Sequence, residues 1–293
     1  MLDKARLVQR FNDAALAYEE AALLQRYTAE QLYDRLQIVN IQPKAIMDLG
    51  SGTGRSASGL ARLFSGAHIV QMDIAINMLR YAKRAETSSK SKFSYLCADA
   101  DFLPVAESTV DLVHSNLMFQ WSSRPGTLIS DIFRIMRDGG LFIFATLGPD
   151  TLGELRSSWA SVDDGIHVND FMDMRDIGDA LVQAGFADPV MEVDHVTMAY
   201  ESVLDLLKDL KKLGANNANT ERRHTLTGKN RFLRMQSYYE KCRTEEKLPA
   251  TYEIVYGHAW AIKKSEKRSQ AEFQISLDSL KGALSQLKGK QKK

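Results

Sequence analysis

Along the first forty residues, Phe11, Ala14, Ala15, Tyr18 and Ala22, with Gln25, lie near one face at helical spacing, and Leu32 and Leu36 continue it. Pro43 ends this helical stretch. Short apolar runs then alternate with amphipathic ones. Ala45–Leu49, His68–Met72, Lys92–Cys97, Thr109–His114 and Leu141–Thr146 read as strands. Ser56–Phe64, Ile74–Lys83, Gly126–Met136 and Met174–Ala184 read as helices, the third stopping at Asp138-Gly139-Gly140 and the fourth closed by Gly185. Val190–Met198 and Tyr252–Trp260 read as the last two strands. Strands separated by helices of this length imply right-handed βαβ units and a parallel sheet. The predicted fold is α/β: a doubly wound, mostly parallel seven-stranded sheet.

The stretch between the last two strands, about Ser202 to Glu246, is too long for a hairpin turn and reads as an inserted helical module. Four parts follow: a helical lid at 1–42, a core at 43–200 and 250–262, the insertion at 201–249, and a basic tail at 263–293.

Composition narrows the class. Two cysteines, Cys97 and Cys242, are too few for a disulfide framework and read as reduced thiols in a cytoplasmic chain. Neither has a metal-type neighbour at ligand spacing, so no metal is expected. No apolar run reaches the roughly 20 residues of a membrane span, and no signal-peptide core opens the chain. The net charge of +1 conceals an asymmetry, because Lys263–Lys293 carries nine Lys/Arg against three Asp/Glu. Such a tail is read here as solvated, with no nucleic acid expected. Within it, Phe273, Leu277, Leu280, Leu284 and Leu287 fit a short amphipathic helix over 272–287.

The strongest local chemistry is Asp48-Leu-Gly50-Ser-Gly52-Thr-Gly54, which follows a strand and opens a helix. Glycines there allow a sharp turn and close approach of backbone to ligand. A dinucleotide fingerprint would need glycine where Arg55 stands, so the turn is more similar to the D/ExGxGxG turn of class I S-adenosylmethionine-dependent methyltransferases. Asp73 ends the second strand, placed for ribose hydroxyls, followed by Ile74. Asp99 follows the third strand, placed for an adenine amino group, with the Ala100 amide for the ring nitrogen. Asp48 is placed to meet the donor's ammonium, and Asn116 follows the fourth strand. Acids at successive strand ends are where such sheets bind ligands.

Later blocks are narrower. They include Arg10-Phe11 through Tyr18 and Leu24-Gln25-Arg26, Asn116-Leu-Met-Phe-Gln120-Trp121, Gly148-Pro149 through Arg156 and Trp159, His167-Val168-Asn169, Leu213-Gly214-Ala215-Asn216-Asn217, and Tyr256-Gly257-His258-Ala259-Trp260. On these, residues 3 to 262 closely resemble the malonyl-acyl-carrier-protein O-methyltransferases of biotin synthesis. The resemblance implies methyl transfer from S-adenosylmethionine to the free carboxylate of a malonyl thioester, carried on acyl carrier protein or on coenzyme A, leaving S-adenosylhomocysteine. A carboxylate with pKa about 4 is already ionised at neutral pH, so no general base is required. Arg156 is the first candidate to hold it, with His167 and Tyr18 as neighbouring donors and Gln120 and Trp121 shaping the pocket. Lys208, Lys211, Lys212, Arg222, Arg223, Lys229, Arg231 and Arg234 form a basic stretch suited to an acidic acyl carrier protein. Three alternatives stay open here. Asp150-Thr151-Leu152 to Arg156 and Pro249 to Tyr252 are also similar to an arginine-hydroxylating respiratory assembly factor, a quinone C-methyltransferase shares the donor site, and a silent donor-binding module is a third reading.

Overall fold

The computed structural model describes residues 2–86, 91–215, 218–220 and 227–263. The helix expected at 272–287, and Arg222 and Arg223, lie outside these residues. Seven strands form one sheet: β1 (Ala45–Leu49), β2 (His68–Asp73), β3 (Lys92–Cys97), β4 (Val110–Asn116), β5 (Met136–Leu147), β6 (Ala187–Tyr200) and β7 (Leu248–Ala261). Their spatial order is β3-β2-β1-β4-β5-β7-β6. The first five strands pair in parallel, and β7 runs antiparallel to both β5 and β6. The doubly wound, mostly parallel sheet read from the sequence is therefore present.

The helices are α1 (Lys4–Ala14), α2 (Tyr18–Ala21), α3 (Leu23–Ile38), α4 (Arg55–Leu63), α5 (Ile76–Ala85), α6 (Pro125–Ile135), α7 (Gly153–Ala160), α8 (Met174–Ala184), α9 (Val203–Lys212) and α10 (Lys229–Tyr239). They cover both faces of the sheet. Along β5, Leu141, Ile143 and Ala145 belong to one buried layer while Phe142 and Phe144 belong to the other. That alternation is the two-residue period of a strand, and burial on both faces explains why the run is apolar throughout.

Three elements differ from the sequence reading. The single N-terminal helical stretch is three helices, because the chain bends at Ala22, whose ψ of 44° is not helical. The helix before β5 ends at Ile135 rather than at the glycine pair. Arg137 to Gly140 instead bulge at the start of β5, where Val110 pairs with Met136 but Leu112 pairs with Leu141, and Gly139 takes a left-handed φ of 74°. The last strand pair is also longer than the alternating pattern indicated, because β6 and β7 extend beyond the body of the sheet and pair along Asp194–Tyr200 and Leu248–Ile254.

The strand order reverses between β1 and β4. In open α/β sheets that switch point, at the carboxyl ends of the strands, is where ligands bind. The N-terminal helices and the insertion converge there. Asn77 N donates to Asn12 Oδ1 at 2.8 Å, which ties α1 to α5. Asp3 N donates to Ala218 O at 2.8 Å, which ties the start of α1 to the chain after α9.

Candidate active site

The glycine turn joins β1 to α4. Gly50, Gly52 and Gly54 have φ of 76°, 53° and 83°, all in the left-handed region that favours glycine. The amides of Gly50 and Ser51 donate to Met72 O at 2.8 and 3.0 Å, which fastens the turn to β2. A Cβ on Gly50 would stand 2.3 Å from Met118 Cγ, so the position also lacks room for a side chain.

Asp73 ends β2 beside this turn. Gly52 N donates to its Oδ2 at 3.0 Å and Ala75 N to its Oδ1 at 2.8 Å. Burial pushes its pKa up to about 6, against the lowering effect of those two amides. Asp99 lies at the end of β3 and accepts from Lys4 Nζ at 3.0 Å, the same ammonium that stands 2.9 Å from Asp101. Lys4 therefore anchors α1 on the expected donor site, a contact 95 residues away in sequence that no local pattern could reveal. Asp48 behaves differently from the expectation. It is 1% exposed, bonded through Oδ1 to His114 Nδ1 at 2.9 Å, and absent from the cavity wall. It supports the turn from beneath.

A cavity of about 340 Å³ opens at the switch point, within the range of small-molecule sites. The half beside the glycine turn is walled by Gly50, Gly52, Asp73, Ile74, Asp99 and Ala100, six of the residues expected to bind cofactor. Asn116 also lines it, but its side chain is used structurally. Thr28 Oγ1 donates to Asn116 Oδ1 at 2.7 Å, and Asn116 Nδ2 donates to Gln25 O at 2.9 Å. These bonds hold α3 against the end of β4. Gly54 is not on the wall; its absent Cβ makes room for Gln71 and Ala82.

Tyr18, Gln120, Trp121 and His167 all line the same cavity. Burial, then the Asp73 and Glu19 charges, raises the Tyr18 hydroxyl far above its ordinary range, so it remains a proton donor. Glu19, next to it, bonds to Thr53 of the glycine turn. Trp121 meets Phe11 of α1 edge-on at 5.5 Å. Gln120 donates to Leu117 O at 2.7 Å and accepts from Thr146 at 3.1 Å, so its amide is fixed. His167 stacks on Trp159 at 3.8 Å and pairs with Asp163 at 2.7 Å. That hydrogen bond holds the Asp163 carboxyl below its usual range.

Arg156 is not brought to the cavity wall. Its Nη2 donates to Thr151 O at 3.4 Å and Asn169 O at 3.3 Å, with Asp170 at 4.0 Å from Nη1. The guanidinium ties the chain just before α7, at Thr151, to the chain after it, at Asn169. The far half of the cavity contains residues to which the sequence reading gave no site role, among them Asn169 and Tyr252, which it quoted only within motif blocks, and Tyr200 and Asp209. Burial and the Asp209 charge push the Tyr200 hydroxyl up to about 12.

The basic stretch is divided. Lys211, Lys212 and Lys229 are exposed. Lys208 is paired with Asp205 at 2.9 Å, Arg231 stands 3.9 Å from Asp163, and Arg234 donates to Ser161 O at 3.4 Å. Elsewhere, Asp150, His195 and Glu253 bring potential ligand atoms within 4.8 Å of one another. Glu253 already accepts from Asp150 N at 2.7 Å, which gives that cluster a structural explanation.

Residues 47–144 match the family described as a methyltransferase domain. Malonyl-[acyl-carrier protein] O-methyltransferase of Gallionella capsiferriformans is 43% identical over 89% of this chain and 91% of its own length. That of Laribacter hongkongensis is 41% identical over 88% and 89%. Among solved structures, a methyltransferase of Bacillus halodurans, itself described as putative, superposes with a TM-score of 0.56 at 14% identity, covering 79% of this chain and 99% of that one. The last likeness concerns the fold alone, whereas the relatives match nearly end to end, and the chain belongs to the malonyl-[acyl-carrier protein] O-methyltransferase family.

Proposed function

We propose that the protein transfers a methyl group from S-adenosylmethionine to the free carboxylate of a malonyl group on acyl carrier protein, an early step towards biotin. The observation that carries this reading is one continuous cavity shared by the glycine turn and an acceptor half built on α7, β6, β7 and α9. The relatives named as O-methyltransferases favour it over arginine hydroxylation or quinone methylation. When bound, S-adenosylmethionine supplies a sulfonium-activated methyl group.

The donor half fits that molecule. Asp73, held by two amides with lone pairs remaining, is suited to accept from ribose hydroxyls. Asp99 offers a carboxylate to the adenine amino group, and the glycine turn lets backbone approach the amino-acid end. The chain's own residues need not move a proton, because a carboxylate nucleophile is ionised. Tyr18 is held protonated, and His167 is committed to Asp163. Catalysis then rests on alignment and on water exclusion by an acceptor half containing Leu152, Leu155, Trp159, Phe171 and Leu210.

The Asp73 burial gives a pH dependence with a definite sign. A carboxylate that accepts ribose hydroxyls binds the donor in its ionised form, and its folded pKa is raised to about 6. Donor affinity should be full at pH 8 and fall as pH drops through about 6, by up to roughly tenfold per pH unit for one linked proton. Calorimetry across pH measures it, and Asp73→Asn should flatten the profile while weakening binding at high pH.

The carrier protein would meet the exposed Lys211, Lys212 and Lys229 beside the cavity's insertion side. The double variant Lys211→Glu/Lys212→Glu should raise KM for malonyl-acyl carrier protein about tenfold at low salt, with kcat little changed, since such charges mainly steer encounter. The effect should shrink as salt rises. The function itself is tested by offering labelled donor with malonyl- or acetyl-acyl carrier protein. Label should enter only the malonyl form, which has a free carboxylate; equal labelling of both would overturn the assignment. No helix among the described residues is long and apolar enough to cross a membrane.

A further inference from the structure

Gln25 lies in the first turn of α3 and lines the cavity. Its Oε1 is buried with no hydrogen-bond partner among the described residues. A buried polar atom without a partner points to a missing ligand or water. The backbone of Gln25 is not free to wander, because its carbonyl accepts from Asn116 Nδ2 at 2.9 Å. Asn116 ends β4, which pairs with β1, and β1 leads into Gly50. Gln25 is thus fixed at the switch point, on the border between the donor and acceptor halves.

The neighbouring charged groups leave two tasks unassigned there. Asp48, expected to meet the donor's ammonium, faces His114 instead. Arg156, expected to hold the substrate carboxylate, does not line the cavity itself and donates to the carbonyls of Thr151 and Asn169. Lys4 is committed to Asp99 and Asp101, and His167 to Asp163. A carboxamide has one acceptor and two donors and serves both tasks at once. It also holds a carboxylate without neutralising it, which preserves the nucleophile better than a cation would.

Resting on the function proposed above, we infer that Gln25 bridges the two reactants, its Oε1 accepting from the donor's ammonium group and its Nε2 donating to the malonyl carboxylate. The bridge sets the angle at which a carboxylate oxygen approaches the methyl carbon as the carbon–sulfur bond breaks. The electron pair of that bond stays with sulfur, the sulfonium becomes a neutral thioether, and no proton is transferred.

Gln25→Ala and Gln25→Glu test it in the full chain, with thermal melts to verify folding. Calorimetry is run with S-adenosylhomocysteine and with 5′-methylthioadenosine, which lacks the amino-acid end. Gln25→Ala should weaken S-adenosylhomocysteine about tenfold, the scale of one hydrogen bond to a charged group, and leave 5′-methylthioadenosine unchanged. Gln25→Glu, which keeps an acceptor for the ammonium, should restore S-adenosylhomocysteine affinity. It should also raise KM for malonyl-acyl carrier protein at least about tenfold, because two carboxylates then face each other. Unchanged S-adenosylhomocysteine affinity in Gln25→Ala, or equal weakening of both nucleosides, would overturn the ammonium contact. An unchanged KM in Gln25→Glu would overturn the carboxylate contact. If the wild-type chain methylates no malonyl-acyl carrier protein, the proposed function fails, and the calorimetry still decides the ammonium contact.

Discussion

Gly50→Ala should severely weaken donor binding while leaving most of the sheet folded. Two costs coincide at this position. A residue with a side chain is strained at φ of 76°, and its Cβ would stand 2.3 Å from Met118 Cγ, in the chain that follows β4. Left-handed strain and overpacking each cost about 1–3 kcal/mol. The chain can relieve them only by shifting the turn, and the Gly50 and Ser51 amides anchor that turn to Met72. Donor affinity should fall roughly a hundredfold or more, the equivalent of about 3 kcal/mol. Calorimetry with S-adenosylhomocysteine measures it, and circular dichroism should report little change in strand content. Gly52→Ala provides the contrast. It has φ of 53° but nothing within 4 Å of its Cβ, so strain acts without the clash and the loss should be smaller.

Asp48→Ala should cost clearly more stability than Asp48→Asn. Asp48 and His114 are 1% and 0% exposed and meet at 2.9 Å between adjacent strands β1 and β4. Their other polar atoms, Asp48 Oδ2 and His114 Nε2, are buried without partners among the described residues. Removing the carboxylate leaves the buried ring N–H without its acceptor, which costs roughly 1–3 kcal/mol. Asp48→Asn retains an acceptor for the ring N–H and should cost about 1 kcal/mol, the scale of one weakened hydrogen bond. Urea unfolding at neutral pH separates the two variants. Equal and small losses would mean that the pair contributes packing alone.

The donor half was legible in the sequence because it is built locally. Strand ends, a glycine turn and the acids that follow them are consecutive in sequence, and the sheet topology places them together whatever the rest of the chain does. Asp73, Ile74, Asp99 and Ala100 reach the cavity for that reason. Asp48 was placed in the right turn but on the wrong side of it. Which way a strand-end side chain points depends on its partner, and His114 lies 66 residues away. Arg156 was misplaced for a similar cause. The irregular chain on either side of α7 has no periodicity to reveal that its carbonyls, at Thr151 and Asn169, would capture the guanidinium. Lys4 and Gln25 were equally hidden. Their importance comes from helices folded back across the switch point, and helical periodicity reports a face without naming what that face meets. The glycine pair at Gly139 and Gly140 shows a local limit, since the same residues suit a helix stop and a bulge, and pairing with β4 selects the bulge.

The central claim is that the methyl group lands on the free carboxylate of the malonyl group. The most direct measurement is mass spectrometry of the product formed from purified protein, S-adenosylmethionine and malonyl-acyl carrier protein, fragmented to locate the added methyl. The account predicts a mass gain of one methylene, confined to the malonyl end as a methyl ester, and lost in Gly50→Ala. A methyl group found on the carrier protein's own side chains, or no product while S-adenosylhomocysteine binds with normal affinity, would contradict it.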